Sequence, residues 1–164
     1  MKGMKRTAIY AGSFDPVTMG HVDLIRRGSV LFDELVVAVG NNPQKNYWFD
    51  LEARSAMIRN SCSELPNVSV KPFRGLLVDA AKESEAQVIL RGLRALSDFD
   101  LEFRNGLANR DLSGIETIFL LTDPKTIFVS SSLVKEIAIN GGDVSRYVPN
   151  CVGGAIAEKL KSKN

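Results

Sequence analysis

The stretch TAIYAGSFDPVTMGH, residues 7–21, passes from a short apolar run through Gly, Ser, Asp and Pro into a helical pattern, and it holds the only histidine of the chain. Thr7 to Tyr10 reads as a strand. Gly20 to Phe32, with apolar residues at Val22, Ile25, Val30 and Leu31, reads as the helix that follows it. Thr18 suits the N-cap, so His21 falls in the first helical turn, among backbone N–H groups that lack intrahelical partners.

The same alternation of short β-rich runs and longer helical segments continues along the chain, with no linker, repeat or low-complexity block. Further strands are expected at Glu34 to Val39, Val68 to Phe73, Gln87 to Leu90 and Glu116 to Leu121, mostly continuous Val/Ile/Leu runs of the kind covered on both faces. Helices are expected at Leu51 to Cys62 behind an Asp50 N-cap, and at Gly75 to Ser84. Another should run to about Leu112 from a capping box at Ser97-Asp98-Phe99-Asp100. Ser130 to Asn140 is stopped by Gly141-Gly142, and Pro149 precedes a final helix at about 150–162. The pattern predicts one α/β domain over residues 1–164, built on a doubly wound sheet of five parallel strands.

Composition narrows the function. With 45% hydrophobic and 24% charged residues the chain is globular, and at its length it can bury roughly 70% of its unfolded surface. Cys62 and Cys151 have neither disulfide density nor C-x-x-C spacing, and one histidine with two distant cysteines does not make a zinc site. MKGMKRTAIY lacks the apolar core of a signal peptide, and no apolar run reaches the roughly 18 residues of a membrane span. A cytoplasmic protein is expected. The net charge of +2 does not suggest a nucleic-acid or membrane partner, and Lys159, Lys161 and Lys163 read as a solvated helix end.

Any positive site is therefore local, and the topology says where to look. In a parallel sheet all strand C-termini share one edge, which is where doubly wound folds bind ligands. His21 belongs to that edge. ILRGLRALSDFDLE places Arg91 and Arg94 around Gly92 in the connection after the fourth strand, where guanidinium forks suit phosphate and a glycine permits close approach. Glu102, one turn into the next helix, could accept from a ribose hydroxyl or orient Arg94. After the fifth strand, Ser130, Ser131 and Ser132 open a helix and offer hydroxyls and N–H donors to a second phosphate. Lys45, in the loop after the second strand, is sited to meet an anion. By position alone His21 could be a mere cap; the cationic company is what gives it a chemical reading.

These residues resemble the bacterial phosphopantetheine adenylyltransferases, within the nucleotidyltransferases that carry an (H/T)-x-G-H signature, here Thr18-Met19-Gly20-His21. The resemblance runs from about Thr7 to Pro149 and includes AGSFDPVTMGH, Lys45, Phe73-Arg74-Gly75-Leu76-Leu77-Val78, RGLRALSDFDLE and VSSSLVKE. It implies a Rossmann-like nucleotidyltransferase fold, a homohexamer, and transfer of an adenylyl group from ATP to 4′-phosphopantetheine. The products would be dephospho-coenzyme A and pyrophosphate, in coenzyme A biosynthesis and with Mg2+ required. Another phosphorylated acceptor is the alternative within the same superfamily. The resemblance further implies that His21 donates to the α-phosphate and that Ser13 contacts both reacting phosphates. Lys45 and Arg91 would hold the acceptor phosphate, and Leu77 would line the pantetheine arm. ATP would meet Ser13, Phe14, Gly92, Leu93, Arg94 and Glu102, with Thr126, Ile127, Phe128, Val129, Ser130, Ser131 and Ser132 closing over it.

The chain departs from that pattern at four places. Ser13 stands where many relatives have Thr, Ala11 where Pro is frequent, Asn46 where a second Lys is frequent, and Thr126 where an aromatic is common. No carboxylate pair has magnesium-ligand spacing, so the metal would be held mainly by substrate phosphates. Two other readings share the sheet. A dinucleotide oxidoreductase calls for G-x-G-x-x-G after the first strand, where this chain has A-G-S-F-D-P; a flavodoxin-like binding module needs neither the arginine pair nor the imidazole.

Overall fold

The computed structural model describes residues 5–162; residues 1–4 and 163–164, Lys163 among them, lie outside the described range. Five strands form one sheet: β1 (Thr7–Gly12), β2 (Glu34–Gly40), β3 (Val68–Phe73), β4 (Val88–Leu93) and β5 (Glu116–Leu121). All pair in parallel, in the order β3-β2-β1-β4-β5. Six helices alternate with them: α1 (Met19–Leu31), α2 (Leu51–Ser61), α3 (Leu77–Glu83), α4 (Leu96–Ser113), α5 (Ser131–Ile139) and α6 (Asn150–Lys161).

The strands' side-chain period of two divides the core. Tyr10, Leu35, Val37 and Leu90 face one side and pack with Val22 and Ile25 of α1, Ile58 of α2, Val134 of α5 and Val152 of α6. Ile9, Val36, Ala38 and Ile89 face the other side, against Val78 and Ala81 of α3. The central strands β1 and β2 are buried on both faces, as their apolar runs require, while the edge strands β3 and β5 are partly exposed.

Several expected boundaries move, β1 running on to Gly12 among them. β4 extends to Leu93 because β5 keeps pairing with it, through Arg91 opposite Phe119, Gly92 opposite Leu120 and Leu93 opposite Leu121. Arg91 is therefore a strand residue held in register, where a loop arginine was expected. α4 starts ahead of the expected opening at Ser97: Ala95 is its N-cap and makes no side-chain cap bond. α3 begins at Leu77, since Gly75 turns with φ +82°, a left-handed conformation that ends any helix there.

Candidate active site

Pairing between β1 and β4 stops at Tyr10 opposite Leu90, while β1 stays with β2 to Gly12 and β4 with β5 to Leu93. The two central strands splay beyond that point, where the strand order reverses. An open cleft of about 360 Å3 occupies the gap, the ligand position expected of such sheets.

His21 enters it from the first turn of α1. The backbone N–H of Thr18 donates to His21 Nδ1 at 3.0 Å, and the His21 N–H returns to Thr18 Oγ1 at 3.4 Å, closing a capping box. The histidine is thus a cap and a cleft residue at once. A backbone N–H can only donate, so Nδ1 is an acceptor and the proton of the neutral ring lies on Nε2. Burial, reinforced by the positive charges of Arg94 and Arg91, pushes the His21 pKa down to about 4. The ring is neutral at working pH. Phe14, in the left-handed region at φ +49°, sets its own ring against the imidazole edge-on at 5.0 Å between centroids.

Arg91 faces His21 from β4. Its Nε and Nη2 donate to the two carboxylate oxygens of Glu102 at 2.8 and 2.6 Å, and its Nη1 donates to the Ala11 carbonyl at 2.7 Å. Of five guanidinium N–H groups, three are thereby spent and one remains on each terminal nitrogen. The bond to Glu102 raises the Arg91 pKa, so the fork is permanently charged. Glu102 therefore orients Arg91, whereas the sequence suggested a ribose hydroxyl or Arg94. Arg94 pairs instead with Asp98 at 3.2 Å.

The serine triplet divides its work. Ser130 Oγ accepts the Leu133 N–H at 3.1 Å as the cap of α5, and Ser131 Oγ donates to the Pro16 carbonyl at 2.8 Å, tying α5 to the first loop. Their hydroxyls are structural first. Gly92 is also explained by packing: a Cβ there would stand 2.3 Å from Leu24 Cδ1 of α1, so the glycine lets β4 and α1 close together. Gly12 plays a similar part, since its Cβ would meet the Phe14 ring at 3.0 Å.

Phe14, His21, Arg91, Gly92, Arg94 and Glu102 line the cleft, joined by Val129 and the three serines. Ser13, Lys45, Leu77, Leu93, Thr126, Ile127 and Phe128 lie outside that lining. Ser13 is half-buried in the loop after β1, Lys45 is exposed in the loop after β2, and Leu77 packs against the α3 side of the core. Leu93 accepts from the Thr122 N–H at 3.1 Å, and Phe128 stacks edge-on with Tyr147. Sequence reasoning missed Asp98 and Thr122 in the lining, and it missed Asp15. The Asp15 carboxylate accepts the N–H groups of Trp48 and Phe49 at 2.8 and 2.9 Å, and an Asp-Pro turn beside the histidine was the signal for it.

A family model described as cytidylyltransferase-like matches residues 9–137. The chain is 49% identical over 159 residues to the phosphopantetheine adenylyltransferase of Desulfatibacillum aliphaticivorans, covering 96% of this chain and 91% of that one. It is 50% identical over 157 residues to that of Caldanaerobacter subterraneus subsp. tengcongensis, covering 95% and 98%. The fold matches a crystal structure of a bifunctional NMN adenylyltransferase/ADP ribose pyrophosphatase from Francisella tularensis with a TM-score of 0.70 at 13% identity, over 96% of this chain and 50% of that chain. The chain is a nucleotidyltransferase and belongs to the phosphopantetheine adenylyltransferase family.

Proposed function

We propose that the cleft joins the phosphate of 4′-phosphopantetheine to the α-phosphorus of ATP, giving dephospho-coenzyme A and releasing pyrophosphate. One observation carries the reading: the Nε2–H of a neutral His21 and the part-free fork of Arg91 open onto one cleft at the switch point of the sheet. A phosphate monoester has its second pKa near ~6, so the acceptor is already largely dianionic and needs no general base. The task is to hold two polyanions in line and to meet the charge that moves onto the α-phosphate of the transferred adenylyl group.

In this reading His21 donates from Nε2 to the α-phosphate, and Arg91, with Ser13 and Lys45, holds the acceptor phosphate. Leu77 lines the acceptor's arm. The Ser13-Phe14 backbone, Gly92, Leu93, Arg94 and Glu102 meet the nucleotide, and residues 126–132 close over it. Both carboxylates in the cleft are committed to arginines, Glu102 to Arg91 and Asp98 to Arg94. Among the described residues no group of three or more His, Cys, Asp or Glu could hold a metal. We therefore write magnesium as part of the substrate, MgATP. Among the described residues no helix is long and apolar enough to cross a membrane, and we place the enzyme in the cytoplasm, where its two free cysteines stay reduced.

We also propose a homohexamer, on the inverted polarity of α4. Its half-buried stripe is Asp98, Glu102, Gly106, Asn109 and Ser113, while Leu101, Phe103, Leu107 and Leu112 are exposed, beside exposed Ile118 and Leu121 of β5. An apolar face of this kind fits a second copy of the chain. Light scattering at six chain masses supports this; a monomer refutes it. For the reaction itself, pyrophosphate release should require both ATP and phosphopantetheine. Turnover with another phosphorylated acceptor alone would overturn the acceptor assignment.

A further inference from the structure

In α2, Arg54 is the largest side chain that is fully buried among the described residues. No carboxylate there lies within ion-pair distance of it. Its Nε donates to the Phe49 carbonyl at 3.1 Å, and its Nη1 donates to the carbonyls of Ser13 at 2.7 Å and Gly40 at 2.8 Å. Nη2 is buried without a hydrogen-bond partner, and the guanidinium lies 3.9 Å from the centre of the Tyr47 ring. Burial lowers its pKa, against the opposing pull of Tyr47, Asp15 and Asp50. A buried charge without an ionic partner destabilises a fold relative to an apolar residue of similar size. Packing alone gives no reason to keep it.

What the three carbonyls share does give one. Ser13 belongs to the loop after β1, Gly40 ends β2, and Phe49 closes the loop that bears Lys45, just ahead of α2. Asp15 takes that last loop from its donor side, through the Trp48 and Phe49 N–H groups, and its carboxylate lies 3.4 Å from Lys135 of α5. Phe49 is thus held at its N–H by an anion of the first loop and at its C=O by a cation of α2.

We propose that Arg54 is a positioning residue for the acceptor half of the site, fixing the Ser13 loop and the Lys45 loop at one spacing so that both can meet a single phosphate group. The inference rests on the adenylyl-transfer reading above. A planar fork is needed for it, because the Phe49 carbonyl is met by Nε and the Ser13 and Gly40 carbonyls by Nη1, two separate nitrogens that a single ammonium does not reproduce.

Two variants test it in the full-length protein. Arg54→Lys keeps the charge and loses the fork; Arg54→Met keeps the bulk and loses both. With ATP and phosphopantetheine varied in turn, Arg54→Lys should raise KM for phosphopantetheine about tenfold and lower kcat/KM for it by about 100-fold, with a smaller rise in KM for ATP, which shares only the Ser13 loop. Arg54→Met should be worse, with lysine a partial rescue. Equal changes in both KM values, or losses that only follow the melting temperature, make Arg54 a packing residue and overturn the proposal. Should Arg54→Met fail to fold, Arg54→Lys decides alone. Amide hydrogen exchange reads the clasp independently of turnover: residues 41–48 should exchange faster in Arg54→Lys, and unchanged exchange there overturns the proposal. A wild-type protein that makes no dephospho-coenzyme A refutes the functional reading instead.

Discussion

The backbone N–H of Thr18 meets Nδ1 of His21 at 3.0 Å, and that one bond determines which imidazole nitrogen presents a proton to the cleft. Because the cap fixes the tautomer, the donor needs no rearrangement when charge builds on the α-phosphate of the transferred adenylyl group. Replacing His21 by Ala should lower kcat by about 10²–10³ while ATP affinity changes little, since the bond is made chiefly in the transition state. Single-turnover kinetics alongside equilibrium nucleotide binding checks this, and an unchanged kcat removes His21 from the mechanism.

The depressed pKa of the same ring fixes a pH dependence. Between about 4 in the folded state and 6.5 when unfolded, the unfolded chain binds the extra proton. This contribution to stability is present in full above pH 6.5 and is lost as pH falls toward 4. Thermal melts should show the wild type losing stability over that window more steeply than His21→Gln. Parallel curves for the two proteins would contradict the assignment of a neutral, buried ring.

Glu102 offers a test of the arginine fork. Glu102→Gln replaces a charge-assisted pair with a neutral amide, and such bonds contribute about 1.5–3 kcal/mol. Arg91 would then lose its orientation, and kcat/KM for the acceptor should fall by about 10–100-fold. Acceptor saturation curves for the variant check it; wild-type values would show that Ala11 alone suffices to hold Arg91.

Gly92 separates packing from phosphate approach. Gly92→Ala drives a Cβ to 2.3 Å from Leu24 Cδ1, and overpacking of this kind costs about 1–3 kcal/mol. Calorimetry should show a lower melting temperature that Leu24→Val partly restores. If the glycine served only the ligand, the second substitution would restore nothing.

The strands and the sheet edge were legible because apolar runs and turn residues are local signals, and β3 and β5 begin and end where the pattern puts them. His21, the arginines and the serines were legible as cleft residues because parallel topology brings all strand C-termini together. Partners were another matter. Arg54 lies in LEARSAMIRN, which reads as an ordinary surface helix, and only the tertiary fold brings it to Ser13 and Gly40. Glu102 binds Arg91 in place of Arg94 because β4 continues through Arg91, and strand length depends on what pairs alongside. The reason for Gly92 was hidden likewise, since Leu24 approaches from a different helix.

The first amide of α1, Met19 N–H, is accepted by the Tyr147 carbonyl at 2.8 Å, and Ser131 reaches back to Pro16. The histidine's helix is thus secured by a segment that is synthesised after all five strands. β1, made before the other four strands, occupies the centre of the sheet and waits for β4 to cover its second edge. Synthesis therefore builds the frame from the N-terminal side, and the cleft is finished only when the segment before α6 folds back over α1, so a nascent chain holds its imidazole before it holds an active site.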